Sequence, residues 1–399
     1  MSAIVATTGP RRVLLMESNE DQTVGGSYQA LFDLARLLDR RQFEPVVLFN
    51  QANPFVARLE AERIEVHTFE VERTIERSVH QNGHRLLKLR EMVRAVERRR
   101  RFLVTRRVDL VHLNNHPVYT CDDWLPAARL ARIPCLVNAM GEAPDERSPV
   151  KRFLMRRYDR VVAISEHMRR RMLSLGIADE RITTVYLGLD AAAYRARVRR
   201  SPEEVRREAG VQPGTALAVM VGNIRHWKGQ HVVLEALTRL APGIRSRLKV
   251  LFIGAAAPID AEYAASLRAV VEREGLGPSV QFVGGRQDVP DFVNASDLCL
   301  HASVIPEPFG LVILEAMALG KPLLAAAAGG PAEILTPESG VLFDPNRPDE
   351  LAAAFTRLVP DQQARERLGR AALERVERFS LERHVAGNVQ VYREVLNEG

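Results

Sequence analysis

The sequence predicts an α/β protein built from two doubly wound parallel-sheet domains, and three observations support this prediction. The 399 residues exceed what one hydrophobic core of about 100–200 residues normally organises. Short β-branched and apolar runs alternate with longer amphipathic segments along almost the whole chain. The strand candidates are mostly apolar throughout, which is typical of parallel strands covered by helices on both faces.

The strand candidates fall into two series. The first series comprises residues 13–16, 45–49, 64–69, 110–113, 136–139, 161–165 and 183–186, and the second comprises 217–221, 250–253, 280–283, 298–301 and 322–325. Helical patterns such as 27–38, 166–175 and 230–240 lie between them. The stretch 191–215 is rich in Arg, Pro and Gly without a strand signal, and it marks the boundary. We therefore expect domains over residues 1–195 and 196–375, followed by a final helical segment, 376–399.

This organisation also predicts where ligands bind. Two Rossmann-like domains facing across a cleft would bring the carboxyl ends of both sets of strands to that cleft. Ligands of open α/β sheets bind outside those ends. Polar residues that follow a strand directly are therefore the first candidates for a functional site.

Composition excludes several classes of protein. Hydrophobic residues make up 46% of the chain and charged residues 27%, a balance that favours packed cores over disorder. The sequence has no apolar run of the roughly 18–20 residues that span a bilayer and no signal-peptide pattern. Its three cysteines have no metal-ligand or CxxC spacing, which is typical of a reduced, cytoplasmic chain. The net charge of +6 favours an anionic ligand, but no nucleic-acid-binding module is recognisable, so we expect no nucleic acid partner.

Glycine-containing segments follow the first strand of each predicted domain. Gly25 and Gly26 precede a helix, where a glycine pair lets the backbone approach a ligand near the helix N-terminus. The pattern is neither the GxGxxG fingerprint nor a P-loop. In the second domain, Gly222 and Asn223 are followed by Arg225 and Lys228, two cations suited to a diphosphate. A simple glycine turn and solvated surface cations are the alternatives.

The most informative segment extends from Pro306 to Glu333. It places Glu307 in a Pro-rich loop and Glu315 eight positions later within an apolar helix. A carboxylate among apolar neighbours needs a hydrogen-bonding partner, and ligand hydroxyl groups are suitable ones. The backbone around Phe309–Val312 lies at the helix N-terminus, where N–H groups can bind phosphate oxygens.

This segment, EPFGLVILEAMALGKP with a following GG-x-x-E, resembles the family 4 glycosyltransferases, which have the GT-B fold. The resemblance covers nearly the full chain. Further matches are Ile164-Ser165-Glu166, the segment 185–190, the loop from Gly222 to Gly229, Asp297 before a strand, and Phe379-Ser380 before the last helix. In this fold the last helix usually crosses back to the N-terminal domain.

The resemblance implies a retaining transfer of a sugar from a nucleotide-diphosphate donor. Glu307 would hold hydroxyl groups of the donor sugar, and Glu315 the ribose hydroxyls. Lys228 with Arg225 would offset the charge of the leaving diphosphate, a form of electrostatic preorganisation that is normally the largest catalytic contribution. His116, from the segment His112-Leu-Asn-Asn-His116, is the candidate catalytic histidine, and His112 is a candidate core or positioning residue.

The resemblance also implies a set of donor-binding positions. Backbone and loop contacts to the phosphates and nucleoside are expected at Gly26, Gly222, Asn223, Phe309, Gly310, Leu311 and Val312. Asn223 stands where family members commonly have Arg, and Arg225 stands two residues later, so whether Arg225 takes that role stays open. No Asp-x-Asp motif is present, so we expect neither a metal nor another cofactor, the nucleotide sugar being a co-substrate.

The acceptor stays open between a glycan, a lipid-linked molecule and a small molecule. Residues 84–102 carry a basic run, Arg98–Arg101, beside an apolar stripe of Leu86, Leu89, Val93 and Val96. One interpretation is a helix that packs this stripe on its domain, and the other is peripheral docking on the inner face of an anionic membrane. Alternative functions on the same fold are a nucleotide-sugar epimerase, a sugar phosphorylase and a non-catalytic nucleotide-sugar binding protein.

Overall fold

The computed structural model describes residues 9–17, 25–69, 85–141 and 148–397, with side chains except those of 85–89. These residues form two compact units, one from Met1–Gly188 together with Leu381–Gly399 and the other from Leu189–Ser380. Each unit is built on one sheet, and every pairing between its strands is parallel. The predicted α/β fold class with two doubly wound domains is confirmed.

The first sheet has seven strands in the order β3-β2-β1-β4-β5-β6-β7, and the second has six in the order β10-β9-β8-β11-β12-β13. The strands are β1 Arg11–Glu17, β2 Phe43–Phe49, β3 Glu65–Thr68, β4 Leu110–Asn114, β5 Cys135–Ala139, β6 Arg160–Ala163, β7 Ile182–Thr184, β8 Ala216–Val221, β9 Leu248–Ile253, β10 Val280–Gly284, β11 Leu298–His301, β12 Leu323–Ala326 and β13 Gly340–Phe343. All twelve predicted strands are present. Strand β13 was not predicted.

Helices separate these strands within the described residues. They are α1 Gly26–Leu37, α2 Pro54–Ala61, α3 Arg85–Thr105, α4 Trp124–Ala131, α5 Pro149–Met155, α6 Glu166–Ser174, α7 Ala191–Arg195, α8 Pro202–Glu208, α9 Gln230–Thr238, α10 Pro242–Arg245, α11 Ala261–Arg273, α12 Val289–Ala295, α13 Leu311–Ala318, α14 Pro331–Ile334, α15 Pro348–Leu358, α16 Gln362–Arg375 and α17 Leu381–Leu396. Among the described residues, no helix combines the length and apolar character that crossing a membrane requires.

The core of each unit follows from the apolar strands. The inner strands β1, β4 and β5 are almost entirely buried, because helices cover both faces of a parallel sheet. Helix α17 contributes to the core of the first unit, where Val391 and Tyr392 are fully buried and the Tyr392 ring packs edge-on against Phe43 with centroids 5.5 Å apart.

The apolar stripe predicted on α3 is wrong at Val93, which is 60% exposed. The buried positions of this helix include Ala95, Arg99 and Leu103. Arg99 is buried because its guanidinium group lies 3.0 Å from the Asp123 carboxylate, at the start of α4. Val96 is half-buried, and Leu86 and Leu89 are among the residues whose side chains the structure does not describe. The predicted stripe therefore includes one exposed position, Val93, and omits the buried Arg99.

Strand order fixes where each sheet offers a binding position. The order reverses between β1 and β4 in the first sheet and between β8 and β11 in the second. Chains leave these neighbouring strands in opposite directions, which opens a crevice at their carboxyl ends. The segments that carry Gly26 and His116 follow β1 and β4, and those that carry Lys228 and Glu307 follow β8 and β11. All four strands border a reversal point.

Candidate functional site

The loop after β11 is held in place through a glycine pair. Glu307 donates its backbone N–H to the Ala328 carbonyl at 3.3 Å, and Gly330 donates to the Glu307 carbonyl at 2.8 Å. A Cβ atom at Gly329 would lie 2.2 Å from the Glu307 carbonyl oxygen, and one at Gly330 would lie 2.4 Å from Phe309. Only glycine permits this approach, so the pair fixes the backbone that carries Glu307.

Three donors converge on one oxygen of the Glu307 carboxylate. Oε2 lies 3.0 Å from Lys228 Nζ, 3.0 Å from Ser303 Oγ and 3.4 Å from His301 Nε2. Burial alone would raise the pKa of Glu307, but the His301 hydrogen bond and the Lys228 charge hold it well below its usual value. Glu307 is therefore ionised and held in one position. As predicted, it lies beside Lys228.

Lys228 is positioned by the turn after β8. The short 3₁₀ turn His226–Lys228 ends at Gly229, whose φ is +76°. A Cβ atom on Gly229 would lie 1.9 Å from the Ala302 carbonyl oxygen, so the turn packs directly on the extension of β11. The Lys228 stem passes beside Gly222, and its ammonium group lies 4.0 Å from the centre of the Trp227 ring.

Arg225 is held by a different carboxylate. Its Nε atom donates to Asp260 Oδ2 at 3.1 Å, and both side chains are partly buried. The hydrogen bonds of the described residues leave the two terminal nitrogens of this guanidinium available for a ligand oxygen pair. Nearby, Asn223 is exposed and its carbonyl accepts a 3.0 Å hydrogen bond from Gln230. Asp260 was not predicted, because it follows Arg225 by 35 positions and shows no local motif.

Helix α13 offers backbone donors at its start. Gly310 caps the helix with a φ of +102°, a conformation that favours glycine. Leu311 and Val312 occupy the first turn, where N–H groups have no partner within the helix. Phe309, immediately before the cap, is buried and contacts the Phe379 ring. This arrangement suits an anion at the helix N-terminus.

Glu315 lies one turn further along α13, and its nearest described partner is Tyr194. The Tyr194 hydroxyl group donates to Glu315 Oε2 at 3.3 Å from helix α7, which packs against α13. Burial raises the pKa of Glu315 to about 7, although the Arg197 charge and the Tyr194 hydrogen bond oppose the rise. Glu315 is thus poised to change charge near neutral pH.

Two predicted site residues belong to the first unit. Gly26 begins α1 and is exposed, whereas residues 18–24, which precede this turn, lie outside the described part of the chain. His116 is buried and accepts a 3.1 Å hydrogen bond from the Val118 N–H through Nδ1, which caps a short 3₁₀ turn. A neutral His116 ring therefore carries its proton on Nε2.

His112 is buried in the core of the first unit, in agreement with its interpretation as a core or positioning residue. Its Nδ1 lies 2.6 Å from the Tyr392 hydroxyl, and its Nε2 lies 2.9 Å from Asn138 Oδ1. Burial lowers the pKa of His112 to about 4, so the ring is neutral near pH 7. Both ring nitrogens are already hydrogen-bonded to other side chains.

Comparisons with known proteins agree with this architecture. The model "Glycosyl transferase 4-like domain" matches residues 25–188, and "Glycosyl transferases group 1" matches residues 201–375. A D-inositol 3-phosphate glycosyltransferase of Nocardioides is 31% identical over 248 residues, which are 59% of this chain and 53% of that protein. One from Saccharomonospora viridis is 30% identical over 279 residues, covering 68% of this chain and 64% of the relative. The chain thus spans between about half and two thirds of the length of these curated relatives.

Solved structures resemble the whole chain. The Anabaena protein Alr3699/HepE, crystallised in complex with UDP, is 25% identical and superposes with a TM-score of 0.78 over 96% of this chain and 100% of its own. A glycosyltransferase from Rickettsia africae shares the fold with a TM-score of 0.81 at 19% identity, covering 98% of this chain and 100% of that one. The GT-B fold is confirmed, and the chain belongs to the family 4 glycosyltransferases.

Proposed function

We propose that this protein transfers a sugar from a nucleotide-diphosphate donor to an acceptor with retention of configuration at the sugar. The observation that carries the proposal is the Glu307 carboxylate 3.0 Å from Lys228, at the reversal point of the second sheet. A negative and a positive side chain at this position are suited to the sugar and to the diphosphate of such a donor, respectively. The carboxylate suits sugar hydroxyl groups, and the ammonium suits the diphosphate.

Each group has a defined task in the transfer. Lys228 and the terminal nitrogens of Arg225 take up negative charge as the bond between the sugar and the diphosphate breaks, and the N-terminus of α13 assists them. Glu307 orients the sugar, and Glu315 accepts hydrogen bonds from the ribose. The acceptor oxygen then bonds to the same face of the sugar and gives its proton to the departing diphosphate. In this proposal neither a metal nor another cofactor is needed, because side chains and backbone offset the charge.

The relatives narrow the choice of substrates to test. Alr3699/HepE is described in complexes with UDP and with UDP-glucose, so uridine donors are the first to examine. The inositol-phosphate specificity named for the curated relatives makes a phosphorylated polyol one candidate small-molecule acceptor, beside glycans and lipid-linked molecules. The family that matches consists of transferases, so the epimerase, phosphorylase and non-catalytic alternatives are not favoured.

Calorimetric titration with UDP, GDP and ADP, first in EDTA and then with magnesium, tests the donor site. We expect one nucleotide to bind without metal and Lys228→Ala to weaken that binding at least tenfold, about 1.4 kcal/mol. Arg367→Ala, which removes an equal charge from an exposed position on α16, is the matched control. Equal affinity in wild type and Lys228→Ala, or a strict need for magnesium, would show that the proposed charge neutralisation is wrong. Turnover is then measured as the rate at which the nucleoside diphosphate is released from the corresponding nucleotide sugar.

Peripheral contact with an anionic membrane is a separate proposal. Val93 and Met92 are exposed on α3 beside the exposed cations Arg90 and Arg94. Flotation with vesicles of anionic phospholipid should detect binding by wild type but not by Val93→Glu, whereas Leu130→Glu, the same kind of change at an exposed leucine of α4, serves as control. Equal binding by wild type and Val93→Glu would exclude this surface. The proposed location is the cytoplasm, at the inner face of the membrane, and the free, buried cysteines are compatible with it.

A further inference from the structure

We propose that His301 and Ser303 are positioning residues that hold the Glu307 carboxylate when Lys228 turns to the donor diphosphate, and that they thereby set the affinity for the sugar part of the donor. The inference rests on the proposed function. It concerns two residues that no sequence motif singled out. Both lie at the carboxyl end of β11, between the strand and the loop that carries Glu307.

The two side chains form a rigid support beneath the carboxylate. His301 and Ser303 are 3% and 1% exposed, and their side chains lie 3.3 Å apart. Each also lies within hydrogen-bond reach of Glu307 Oε2, at 3.4 Å from His301 and 3.0 Å from Ser303. His301 belongs to a strand whose register with β12 is fixed, so its position does not depend on a ligand.

Lys228, in contrast, has to divide its single positive charge between two partners. Its side chain crosses Gly222 and ends between Glu307 and the face of Trp227, with 17% of the side chain exposed. A diphosphate carries more negative charge than the Glu307 carboxylate, and Lys228 bears a single positive charge. As the ammonium group turns toward the phosphate oxygens, its interaction with Glu307 weakens. A carboxylate left without donors in a buried site is strongly disfavoured.

His301 and Ser303 remain in place after this exchange. His301 directs Nε2 toward Glu307, and among the described residues its buried Nδ1 has no hydrogen-bond partner. A proton on Nε2 satisfies the carboxylate, whereas a second proton on Nδ1 would bury an N–H group without an acceptor. His301 therefore presents Nε2 to the carboxylate as a hydrogen-bond donor. Glu307 keeps its second oxygen, Oε1, for the hydroxyl groups of the sugar.

The ratio of two dissociation constants tests the proposal. UDP contains no sugar at the diphosphate end, so its affinity reports Lys228 and the nucleotide contacts, whereas UDP-glucose adds the contacts of Glu307. We expect His301→Leu to bind UDP within about twofold of wild type but to bind UDP-glucose roughly tenfold more weakly, as for loss of a hydrogen bond to a charged group. His301→Gln, which keeps an N–H donor at a similar reach, should restore most of that loss.

Two further variants make the test robust. Ser303→Ala should show the same selective loss with little change in volume, and it replaces His301→Leu if that variant does not fold. Cys299→Ala, a buried change on the same strand, is the matched control and should affect neither ligand. Equal weakening of UDP and UDP-glucose would indicate a merely structural role, and an unchanged ratio would show that neither residue holds Glu307. If wild type bound none of UDP, GDP, ADP and their glucose conjugates, the proposed function would fail and this inference with it.

Discussion

Replacing Glu315 with Gln should stabilise the second unit at alkaline pH while it weakens nucleotide binding. Burial raises the pKa of Glu315 from 4.5 to about 7, so ionisation of this side chain disfavours the folded state. The neutral carboxyl group therefore contributes fully to the stability of the second unit below pH 4.5, and this contribution is lost as the pH rises through 7. The difference between the two pKa values corresponds to about 3 kcal/mol at pH 8. Gln cannot ionise, and its carbonyl can still accept the Tyr194 hydrogen bond.

Urea unfolding at several pH values measures this effect. The chain has two tryptophans, Trp124 in the first unit and Trp227 in the second, so a Trp124→Phe background lets fluorescence report the second unit alone. We expect the free energy of unfolding of Glu315→Gln to exceed that of wild type by about 3 kcal/mol at pH 8 and by much less at pH 4.5. The same variant should bind UDP at least tenfold more weakly, because an amide replaces the acceptor of the ribose hydroxyls.

The control and the refuting results are equally specific. Glu338→Gln removes an exposed carboxyl group of the same unit and should bring no gain at pH 8. A Glu315→Gln variant that is no more stable than wild type at pH 8 would show that burial does not dominate at this position. Unchanged UDP affinity in a stabilised variant would instead separate Glu315 from the ribose.

Two further substitutions each test one contact, the first in the second unit and the other in the first unit. Gly330→Ala should weaken UDP-glucose binding more than UDP binding, because a Cβ atom there would overlap Phe309 and displace the Glu307 loop, and calorimetry on both ligands would detect it. Equal affinities in the variant and wild type would contradict the fixed loop. Tyr392→Phe should destabilise the first unit by about 1–3 kcal/mol, because His112 Nδ1 loses its buried donor. Urea unfolding followed by Trp124 fluorescence in a Trp227→Phe background would measure this loss. A change near zero would indicate that Nδ1 finds another partner.

The fold was predictable because its strands are apolar on both faces. Strand β1 illustrates this, since its consecutive apolar residues Val13–Met16 are typical of a strand that is covered on both faces. Strand β13 was not predicted because only its first and last residues are buried and Leu342 within it is partly exposed. The buried arginine of α3 was missed for another reason. Burial of Arg99 depends on Asp123, and a sequence pattern that treats arginine as a surface residue cannot reveal this pair.

The candidate site was predictable where its residues lie close together in the sequence or directly after a strand. Glu307 and the glycine pair belong to one motif, and Lys228 follows a strand end, so their proximity followed from strand order. Their supporting partners were not predictable. Asp260, which anchors Arg225, and Tyr194, which anchors Glu315, lie 35 and 121 positions away from those residues. His301 resembles any other histidine in a strand until its neighbours are known.

The discontinuous composition of the first unit has a consequence for biosynthesis. The second unit occupies one continuous stretch, Leu189–Ser380, whereas the first unit needs α17, which follows the second unit in the sequence. On the ribosome, the second unit can acquire all its parts before the first unit does, although it is translated later. Until α17 is synthesised, Phe43 and His112 lack Tyr392, and an incomplete apolar core stays open to other molecules. Chain termination before residue 381 would leave this nascent-chain intermediate as the product, with its surface available to chaperones and to aggregation.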